Sequence, residues 1–367
     1  MGQRTDVFVI GGGPAGLAAA IAARKRGFEV VVADGAEPPI DKACGEGLMP
    51  DALSALRELG VVVDAEEGFA FRGVRFVEER TQVDANFPFG KGIGLRRPVL
   101  HQKMIEAAER LGVRLLWKMS VTGLSPEGVM AGGKEIGARW VVGADGIRSR
   151  VRRWCGLESP ALARPRYAFR RHYRIAPWGD CMEIYWGRKA QAYVTPVSNQ
   201  EVCVVMISRN AGVRSVSMLD EFPQLAERLA SAHASRESGA VTLTCGFDRV
   251  YRGRVALIGD ASGSVDAITG EGLCLSFHQA TALADAFASG DLASYQAAHR
   301  RLARRPTLMG RLLLLLDRQP KLRHRALRTL EVHPALFERL LAVHVGATSA
   351  GHLAATGALL SWRFVTV

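Results

Sequence analysis

The sequence lacks closely spaced cysteines: its 6 cysteines form no CxxC pair and no mixed cysteine and histidine cluster. This spacing excludes the common structural zinc motifs, and we expect no metal site. Widely separated thiols are typical of a reduced, cytoplasmic protein. The chain also lacks internal repeats and low-complexity linkers, which argues against solenoid and largely disordered architectures.

Long apolar segments are also scarce. The longest segment without a charged residue, 340–362, contains two histidines, three glycines and several hydroxyl side chains. Because this segment is only moderately apolar, we expect a buried or interfacial helix rather than a membrane span.

The charge of the chain is unevenly distributed. Of the net charge of +12, nine charges come from 300–328, where ten basic residues face a single acid. An anionic partner is therefore expected at this segment. Basic residues beside the apolar run 312–316 suit peripheral contact with an anionic membrane, and a solvated helix face is the alternative. Since aromatic residues are not interleaved here, we expect no nucleic acid.

A glycine-rich segment, GGGPAG, lies between a predicted strand and a predicted helix, and an acid ends the next predicted strand. In this GxGxxG spacing the first glycine permits a tight turn, the second admits a pyrophosphate, and the third lets helix and strand pack closely. The acid can accept hydrogen bonds from an adenosine ribose. The pattern predicts a dinucleotide site without distinguishing FAD from NAD. The predicted contacts are Gly11, Gly13, Pro14, Ala15, Gly16 and Asp34.

Further motifs carry a resemblance to a known family. The segment VVGADGIRSRVR at 141–152 resembles the Asp-Gly motif of flavoprotein monooxygenases, and RVALIGDASGSVDAITGEG at 254–272 resembles their Gly-Asp motif. The segment DKACGEGLMPDAL, the RxxL pattern of Arg97 and Leu100, and the TGEG ending resemble the geranylgeranyl reductase family. This family lies within the superfamily of the p-hydroxybenzoate hydroxylase fold.

The resemblance implies an α/β fold: a Rossmann-like FAD-binding domain, an inserted β-rich substrate domain and a C-terminal helical cap. Hydrophobic periodicity also predicts one helix near 219–232 inside the β-rich block. The expected boundaries are 1–70, 91–160 and 250–290 for the FAD-binding domain, 71–90 and 161–249 for the substrate domain, and 291–367 for the helical region.

By resemblance, Asp260 would hold a ribityl hydroxyl of the flavin, and Asp145 would lie near the pyrophosphate. Glycines at the start of the helix after TGEG would approach the N1 and O2 edge of the flavin. Arg97 would contact the ribityl or phosphate region, with Arg96 as the competing candidate. The implied cofactor contacts are Cys44, Gly45, Arg97, Asp145, Gly259, Asp260, Gly270 and Gly272.

The activity implied by the resemblance is that of an FAD-dependent oxidoreductase. It would reduce carbon–carbon double bonds of an isoprenoid or other lipophilic substrate by hydride transfer from flavin N5. The alternatives are a flavin monooxygenase acting on an aromatic or polyketide-like substrate, and a non-catalytic flavoprotein bound to an anionic surface. Ala267 stands where many relatives have a proline beside the flavin, which disfavours the monooxygenase. Because no second GxGxxG follows, NAD(P)H or a protein electron donor would bind transiently.

Two side chains are candidates for catalysis. Cys44 lies in the CGEG loop, where a thiol would donate a proton or shape the pocket, and a buried packing cysteine is the alternative. Tyr193 replaces the tryptophan of the family's YxWxFP motif. Together with Tyr185, His172 and Trp186, it is expected to line the pocket from strands above the flavin.

Overall fold

The computed structural model describes residues 4–158 and 165–348, so the part of the predicted apolar segment from 349 to 362 lies outside the described residues. The helices are α1 (Pro14–Lys25), α2 (Pro50–Leu59), α3 (Arg97–Arg110), α4 (Arg150–Trp154), α5 (Ser215–Leu219), α6 (Pro223–Leu229), α7 (Gly272–Ser289), α8 (Leu292–Arg318), α9 (Pro320–Val332) and α10 (Pro334–His344).

The strands range from two to ten residues in length. They are β1 (Arg4–Ile10), β2 (Val30–Ala33), β3 (Gly47–Leu48), β4 (Phe69–Phe71), β5 (Gly73–Glu78), β6 (Thr81–Asn86), β7 (Gly92–Gly94), β8 (Arg114–Leu116), β9 (Val121–Leu124), β10 (Gly128–Ala131), β11 (Lys134–Gly143), β12 (Arg166–Arg174), β13 (Cys181–Trp186), β14 (Ala190–Ser198), β15 (Glu201–Ser208), β16 (His233–Ala234), β17 (Ser238–Thr242), β18 (Cys245–Gly246), β19 (Tyr251–Arg252), β20 (Val255–Leu257) and β21 (Gly263–Ser264).

The first sheet has the strand order β19-β20-β11-β1-β2-β8, with β10 and β9 attached beside β11. Its central pairs are parallel, β1 with β2 and β11, β2 with β8, and β11 with β20. Val7, Phe8 and Val9 of β1 are fully buried, as expected for a central strand covered on both faces. This arrangement confirms the expected Rossmann-like α/β architecture.

Helices α1 and α7 pack together on one face of the first sheet. Alanine fills much of α1, which favours the helix and allows close packing. Pro14 begins α1, where its missing amide proton costs nothing, and Gly27 follows the helix with a positive φ. Because β1 ends at Ile10 and α1 begins at Pro14, the start of α1 lies at the carboxyl end of β1.

The second sheet has the order β16-β12-β15-β14-β13-β5-β6, with β17 paired to β12. Its described pairs are antiparallel except β13 with β5. Side chains alternate along β14: Tyr193 packs on one face with α9 and α10, whereas Ala192 and Val194 pack on the other with α5 and α6. The second sheet thus has two covered faces.

The helix predicted near 219–232 is present as α6 but is shorter than expected, and the separate short helix α5 ends at Leu219. Phe222, which separates them, has φ −129° and ψ 69° and is not helical. It precedes Pro223, and the proline ring disfavours helical geometry in the residue before it. Pro223 then begins α6.

The C-terminal helices α8, α9 and α10 cover the second sheet. Leu330 of α9 and Phe337 of α10 share a buried cluster with Phe76 of β5. The Phe76 and Phe337 rings lie 4.6 Å apart. Across the described residues, no helix combines the length and apolar character that crossing a membrane requires.

Candidate active site

A cavity of about 1090 Å³ lies between the carboxyl ends of the first sheet and one face of the second sheet. Ile10 and Ala33 end β1 and β2 and line the cavity, and Ala144 directly follows β11. Tyr193 and Thr195 of β14 line the opposite side. Ligands of open parallel sheets bind at this edge, because the loops that follow the strands converge there.

Two helices begin at the cavity. Pro14 and Ala15 at the start of α1 line it, as do Gly272 and Leu273 at the start of α7. The free amide groups of a helix N-terminus carry partial positive charge. The cavity is therefore suited to an anionic group such as a pyrophosphate.

Gly11 and Gly16 hold strand, turn and helix in close contact. A Cβ atom on Gly16 would lie 1.9 Å from the carbonyl oxygen of Gly11. Gly11 has φ +112°, and its own Cβ would lie 2.4 Å from the carbonyl oxygen of Ala144. Gly11 lines the cavity, whereas Gly16 acts behind it through packing.

Asp34 lines the cavity and fixes the glycine turn. Its Oδ2 accepts a hydrogen bond from Gly12 N at 2.7 Å, and its Oδ1 accepts one from Ala36 N at 2.8 Å. Contact between Asp34 and a ribose stays a prediction.

His101 of α3 supports the same turn and was missed by the sequence analysis. Its Nε2–H donates to Gly12 O at 2.7 Å, and its Nδ1 accepts from Ile40 N at 3.1 Å. The side chain is fully buried, and burial lowers its pKa. Only its position on the buried face of α3 could have drawn attention to it.

Polar atoms without partners point to a bound group. Asp145 Oδ2 accepts from Arg150 N at 2.6 Å and Val151 N at 3.1 Å, but its buried Oδ1 has no partner among the described residues. The buried Nε of Arg97 also lacks a partner there. Arg97 lines the cavity, whereas Arg96 pairs with a glutamate, Glu201, at 2.6 Å.

Several glycines leave open space at the cavity. A Cβ atom on Gly13, Gly45 or Gly272 would meet nothing within 4 Å. Asp260 is half exposed, and its Oδ2 lies 3.8 Å from Lys42 Nζ. Together with the unpartnered atoms of Asp145 and Arg97, this cradle fits FAD. The predicted contacts that line the cavity are Gly11, Gly13, Pro14, Ala15, Asp34, Cys44, Gly45, Arg97, Asp145, Gly259, Asp260, Gly270 and Gly272.

We expect Gly13→Ala to weaken FAD binding by about 10-fold to 100-fold while the protein stays folded. The new methyl group meets no protein atom within 4 Å, so it would intrude only on a bound pyrophosphate. The measurement is FAD affinity of the apoprotein, followed by flavin fluorescence. Gly123→Ala is the matched control, because its Cβ also meets nothing and Gly123 does not line the cavity. Equal FAD affinity in the two variants would contradict this placement of the pyrophosphate.

The CGEG loop is held by a buried carboxylate that the sequence analysis left out of the predicted site. Glu46 has φ +59°, and its side chain is fully buried. Its Oε1 accepts from Arg97 N at 3.0 Å and lies 3.3 Å from Arg170 Nη1, while its Oε2 lies 2.7 Å from His172 Nε2. Glu46 N donates to Cys44 Sγ at 3.4 Å. Cys44 lines the cavity, so Glu46 sets the position of this thiol.

Glu46, His172 and Cys203 place three ligand-type atoms within 4.8 Å of one another. The guanidinium groups of Arg170 and Arg96 lie 3.3 and 3.9 Å from the Glu46 carboxylate. Two fixed positive charges oppose a further cation. The cluster therefore supports the loop as a hydrogen-bonded network.

Tyr193 lines the cavity, but its hydroxyl is engaged. It donates to Gln191 Oε1 at 3.3 Å, and the same oxygen accepts from Arg166 Nη2 at 2.5 Å. Arg166 also pairs with Asp266 at 2.7 Å. Burial raises the pKa of Tyr193 well above its ordinary range, so the phenol stays protonated. A catalytic role for Tyr193 stays a prediction.

Three other expected pocket residues lie elsewhere. Tyr185 follows Ile184 on β13, and Ile184 lines the cavity. Because side chains alternate along a strand, Tyr185 lies on the opposite face, where its hydroxyl donates to Glu183 Oε2 at 2.6 Å. Trp186 packs in the buried cluster below the C-terminal helices, and His172 faces the CGEG loop. None of these three residues belongs to the described lining of the cavity.

Besides Glu46 and His172, a second carboxylate and imidazole lie close together where α10 meets the TGEG turn. These residues, Glu271 and His344, were not predicted from the sequence. Glu271 Oε1 accepts from Arg305 Nη2 at 3.0 Å, and its Oε2 lies 3.6 Å from His344 Nδ1. His344 lines the cavity and donates through Nε2 to Thr269 O at 2.9 Å. Burial raises the pKa of Glu271. This pair ties the end of α10 to the turn that starts α7.

A buried histidine also supports the Gly-Asp motif. Ser262 Oγ donates to Gly259 O at 2.8 Å and accepts from His299 Nε2 at 2.9 Å. Burial, with a smaller contribution from Arg300, lowers the pKa of His299 from 6.5 to about 4. The imidazole is therefore neutral in the folded protein near neutral pH.

We expect the His299 side chain to lower the free energy of unfolding as the pH is decreased from 6.5 to 4. The unfolded chain takes up a proton below pH 6.5 and the folded protein only near pH 4, so about 3 kcal/mol is lost across this window. His299→Gln keeps a donor for Ser262 and does not titrate. Urea unfolding at several pH values should give a flatter profile for this variant. Parallel profiles would show that His299 is not the titrating group.

The fold and the cavity define a dinucleotide-binding protein with a Rossmann-like sheet. A family model described as FAD binding domain matches residues 4–291. The chain therefore belongs to the FAD-binding domain family, and it is an FAD-dependent enzyme.

Similar curated proteins include reductases and a monooxygenase. Menaquinone reductase of Mycobacterium tuberculosis is 28% identical over 323 residues, 78% of each chain. Digeranylgeranylglycerophospholipid reductase 1 of Methanothermobacter thermautotrophicus is 28% identical over 303 residues, 74% of each chain. Aurachin C monooxygenase/isomerase of Stigmatella aurantiaca is 27% identical over 343 residues, 79% of this chain and 84% of that one. The second of these confirms the resemblance to geranylgeranyl reductases.

A solved structure shares the fold. The flavoprotein/dehydrogenase from Cytophaga hutchinsonii has a TM-score of 0.81 and 22% identity, and the match covers 93% of each chain. At this identity the likeness concerns the fold alone.

Proposed function

We propose that this FAD-dependent enzyme reduces a carbon–carbon double bond in an isoprenoid or other lipophilic substrate. The observation that carries the proposal is the shape and lining of the cavity, which continues from the FAD cradle into an apolar region below the C-terminal helices. We call this region the lipophilic arm. Its wall includes Leu312, Leu315, Leu316, Leu330, Phe337 and Leu341.

The lipophilic arm suits a flexible hydrocarbon chain. Leucines from α8 and α9 face Phe337 and Leu341 of α10, and Met182 and Ile184 of β13 line the other side. Transfer of such a chain from water into the arm is favourable by about 25 cal/mol per Å² of apolar surface buried. The second sheet and the C-terminal helices would hold the substrate against the FAD cradle and exclude water.

FAD, when bound and reduced by an electron donor, would supply the hydride for such a reduction. The side chains of this protein would orient the alkene and provide a proton for the second carbon. Cys44, positioned by Glu46, and the protonated Tyr193 phenol both line the cavity. Of these two, Cys44 is the better proton donor, because the Tyr193 hydroxyl already donates to Gln191.

The relatives named as reductases of menaquinone and of a digeranylgeranyl lipid support this substrate class, since both names describe substrates with long hydrocarbon parts. The named monooxygenase among the relatives supports hydroxylation as the competing reaction. NAD(P)H or a protein electron donor would reduce the flavin in transient contact.

The test is a single-turnover reaction without oxygen. Enzyme reduced by dithionite is mixed with a geranylgeranyl lipid or a menaquinone, and flavin absorbance and product mass are followed. Substrate-dependent return of the oxidised spectrum with a gain of two hydrogen atoms on the isoprenoid chain, and not on the quinone ring, is the expected result. Incorporation of an oxygen atom after air is admitted, with no alkene reduction, would replace this proposal with hydroxylation.

A variant pair tests the lipophilic arm separately. Leu312→Asp places a charge at its edge, whereas Val332→Asp places the same charge on an exposed position of α9 outside the cavity. We expect a higher KM for a long-chain substrate only in the Leu312 variant, with FAD content unchanged in both.

A further inference from the structure

The helix α8 presents a row of exposed arginines. Arg304, Arg311 and Arg318 are exposed and succeed one another at intervals of seven residues. Residues seven apart drift by only about 20° around a straight helix, so the three share one side. In the described part of the chain none of the three has an ion-pair partner within 4 Å. Their charges are available to an anionic partner.

Exposed leucines flank this row. Leu308, Leu312 and Leu315 follow at intervals of four and three residues, the spacing that places side chains on one face of a helix. They are 41%, 38% and 46% exposed. Leu312 and Leu315 also line the cavity, so this ridge forms an edge of the lipophilic arm. Apolar side chains beside a row of arginines are typical of a helix that lies in a membrane interface.

We propose that this side of α8 docks the enzyme onto an anionic lipid bilayer and places the edge of the lipophilic arm against the apolar part of the bilayer. The proposal deepens the proposed function, because it states where a lipophilic substrate enters. We call the docking surface the α8 face. Its members are Arg304, Leu308, Arg311, Leu312, Leu315 and Arg318.

The structure restricts docking to part of the basic segment. Arg323 is buried, pairs with Glu78 at 2.5 Å and lies over the Trp186 ring. Arg305 points inward to Glu271. These two arginines support the fold, so they contribute no charge to docking, whereas Arg304, Arg311 and Arg318 of α8 are exposed.

The test uses flotation of the FAD-loaded enzyme with vesicles of phosphatidylcholine alone or mixed with phosphatidylglycerol. We expect binding to the anionic vesicles that weakens with salt. The triple variant Arg304→Gln, Arg311→Gln, Arg318→Gln should lose affinity by roughly 100-fold, since each basic residue near such a surface contributes about fivefold. The matched control carries Arg57→Gln, Arg110→Gln and Arg153→Gln, three exposed arginines outside α8. Equal binding by the two triple variants would overturn the proposal.

Leu308 tests the apolar contribution without altering the lining of the cavity. Leu308→Glu should weaken vesicle binding by about tenfold, whereas Val332→Glu, at an exposed apolar position on α9, should not. Circular dichroism and FAD content show whether each variant is folded. Vesicle binding unaffected by Leu308→Glu, together with equally tight binding to duplex DNA, would identify a general polyanion site and refute lipid docking.

The proposed reaction and the proposed docking surface can be rejected independently of each other. Vesicle binding needs no turnover, so docking without alkene reduction would reject only the proposed reaction. Reduction of a short, water-soluble alkene without any vesicle binding would reject only the docking surface. The Arg304, Arg311 and Arg318 variant should retain wild-type turnover of the short substrate, because none of the three lines the cavity.

Discussion

Gly16→Ala is expected to leave little folded, FAD-containing protein. The added Cβ would lie 1.9 Å from the carbonyl oxygen of Gly11, well inside the contact distance of the two atoms. Relief requires α1 to move away from β1, at the centre of the first sheet, and we expect a loss of more than about 3 kcal/mol. Soluble yield, melting temperature and flavin absorbance of the purified protein measure this effect.

The comparison with Gly13 separates packing from cofactor contact. Both glycines belong to one motif, yet a Cβ on Gly13 has no close neighbour and a Cβ on Gly16 meets backbone. Gly13→Ala should keep a wild-type melting temperature as apoprotein, and Gly16→Ala should not. A Gly16 variant with unchanged apoprotein stability would show that the strand and helix separate more easily than the packing indicates.

Glu46→Ala is expected to destabilise the protein by about 3–5 kcal/mol and to reduce turnover. The substitution removes the acceptor of His172 Nε2 and Arg97 N, and leaves the buried Arg170 with Asp41 as its remaining carboxylate partner. A cost of this size is expected because His172 Nε2 and Arg97 N lose their acceptor while buried Arg170 loses one of its two carboxylate partners. Thermal and chemical unfolding of the FAD-loaded protein measure the loss.

Two variants serve as controls for Glu46. Glu46→Gln keeps an oxygen acceptor and should show a smaller loss of stability. Glu37→Ala removes an exposed carboxylate paired with Lys118, and such pairs contribute at most about 1 kcal/mol. If Glu46→Ala were as mild as Glu37→Ala, the buried network would not hold the CGEG loop.

The glycine motif shows what could be predicted from sequence. Strand, turn, helix and terminal acid occur within 34 residues, and each depends on local backbone requirements that leave a recognisable spacing. Gly11, Gly13 and Asp34 accordingly lie at the cavity edge. The helix expected after TGEG is also present as α7, which begins at Gly272.

Residues that act through distant partners could not be predicted in this way. Glu46 meets His172 across 126 positions of sequence, and Glu271 meets His344 across 73 positions. His101 is an ordinary helix residue in sequence and becomes part of the site only when α3 packs behind the glycine turn. Tyr185 was placed in the pocket because sequence alone does not show which face of its strand is covered by which layer.

The sequence by itself determined the Rossmann-like unit, a dinucleotide site and the residues that surround its phosphate-binding turn, since these depend on short-range backbone geometry. The choice of FAD came from the resemblance of the motifs at 141–152 and 254–272 to a known family. The tertiary structure decided which charges are buried and which are free. Arg323 and Arg318 are alike in sequence, yet one pairs with Glu78 in the interior and the other is exposed on α8. The lipophilic arm likewise exists only because α8, α9 and α10 pack over the second sheet, and burial of apolar surface between distant segments drives that packing.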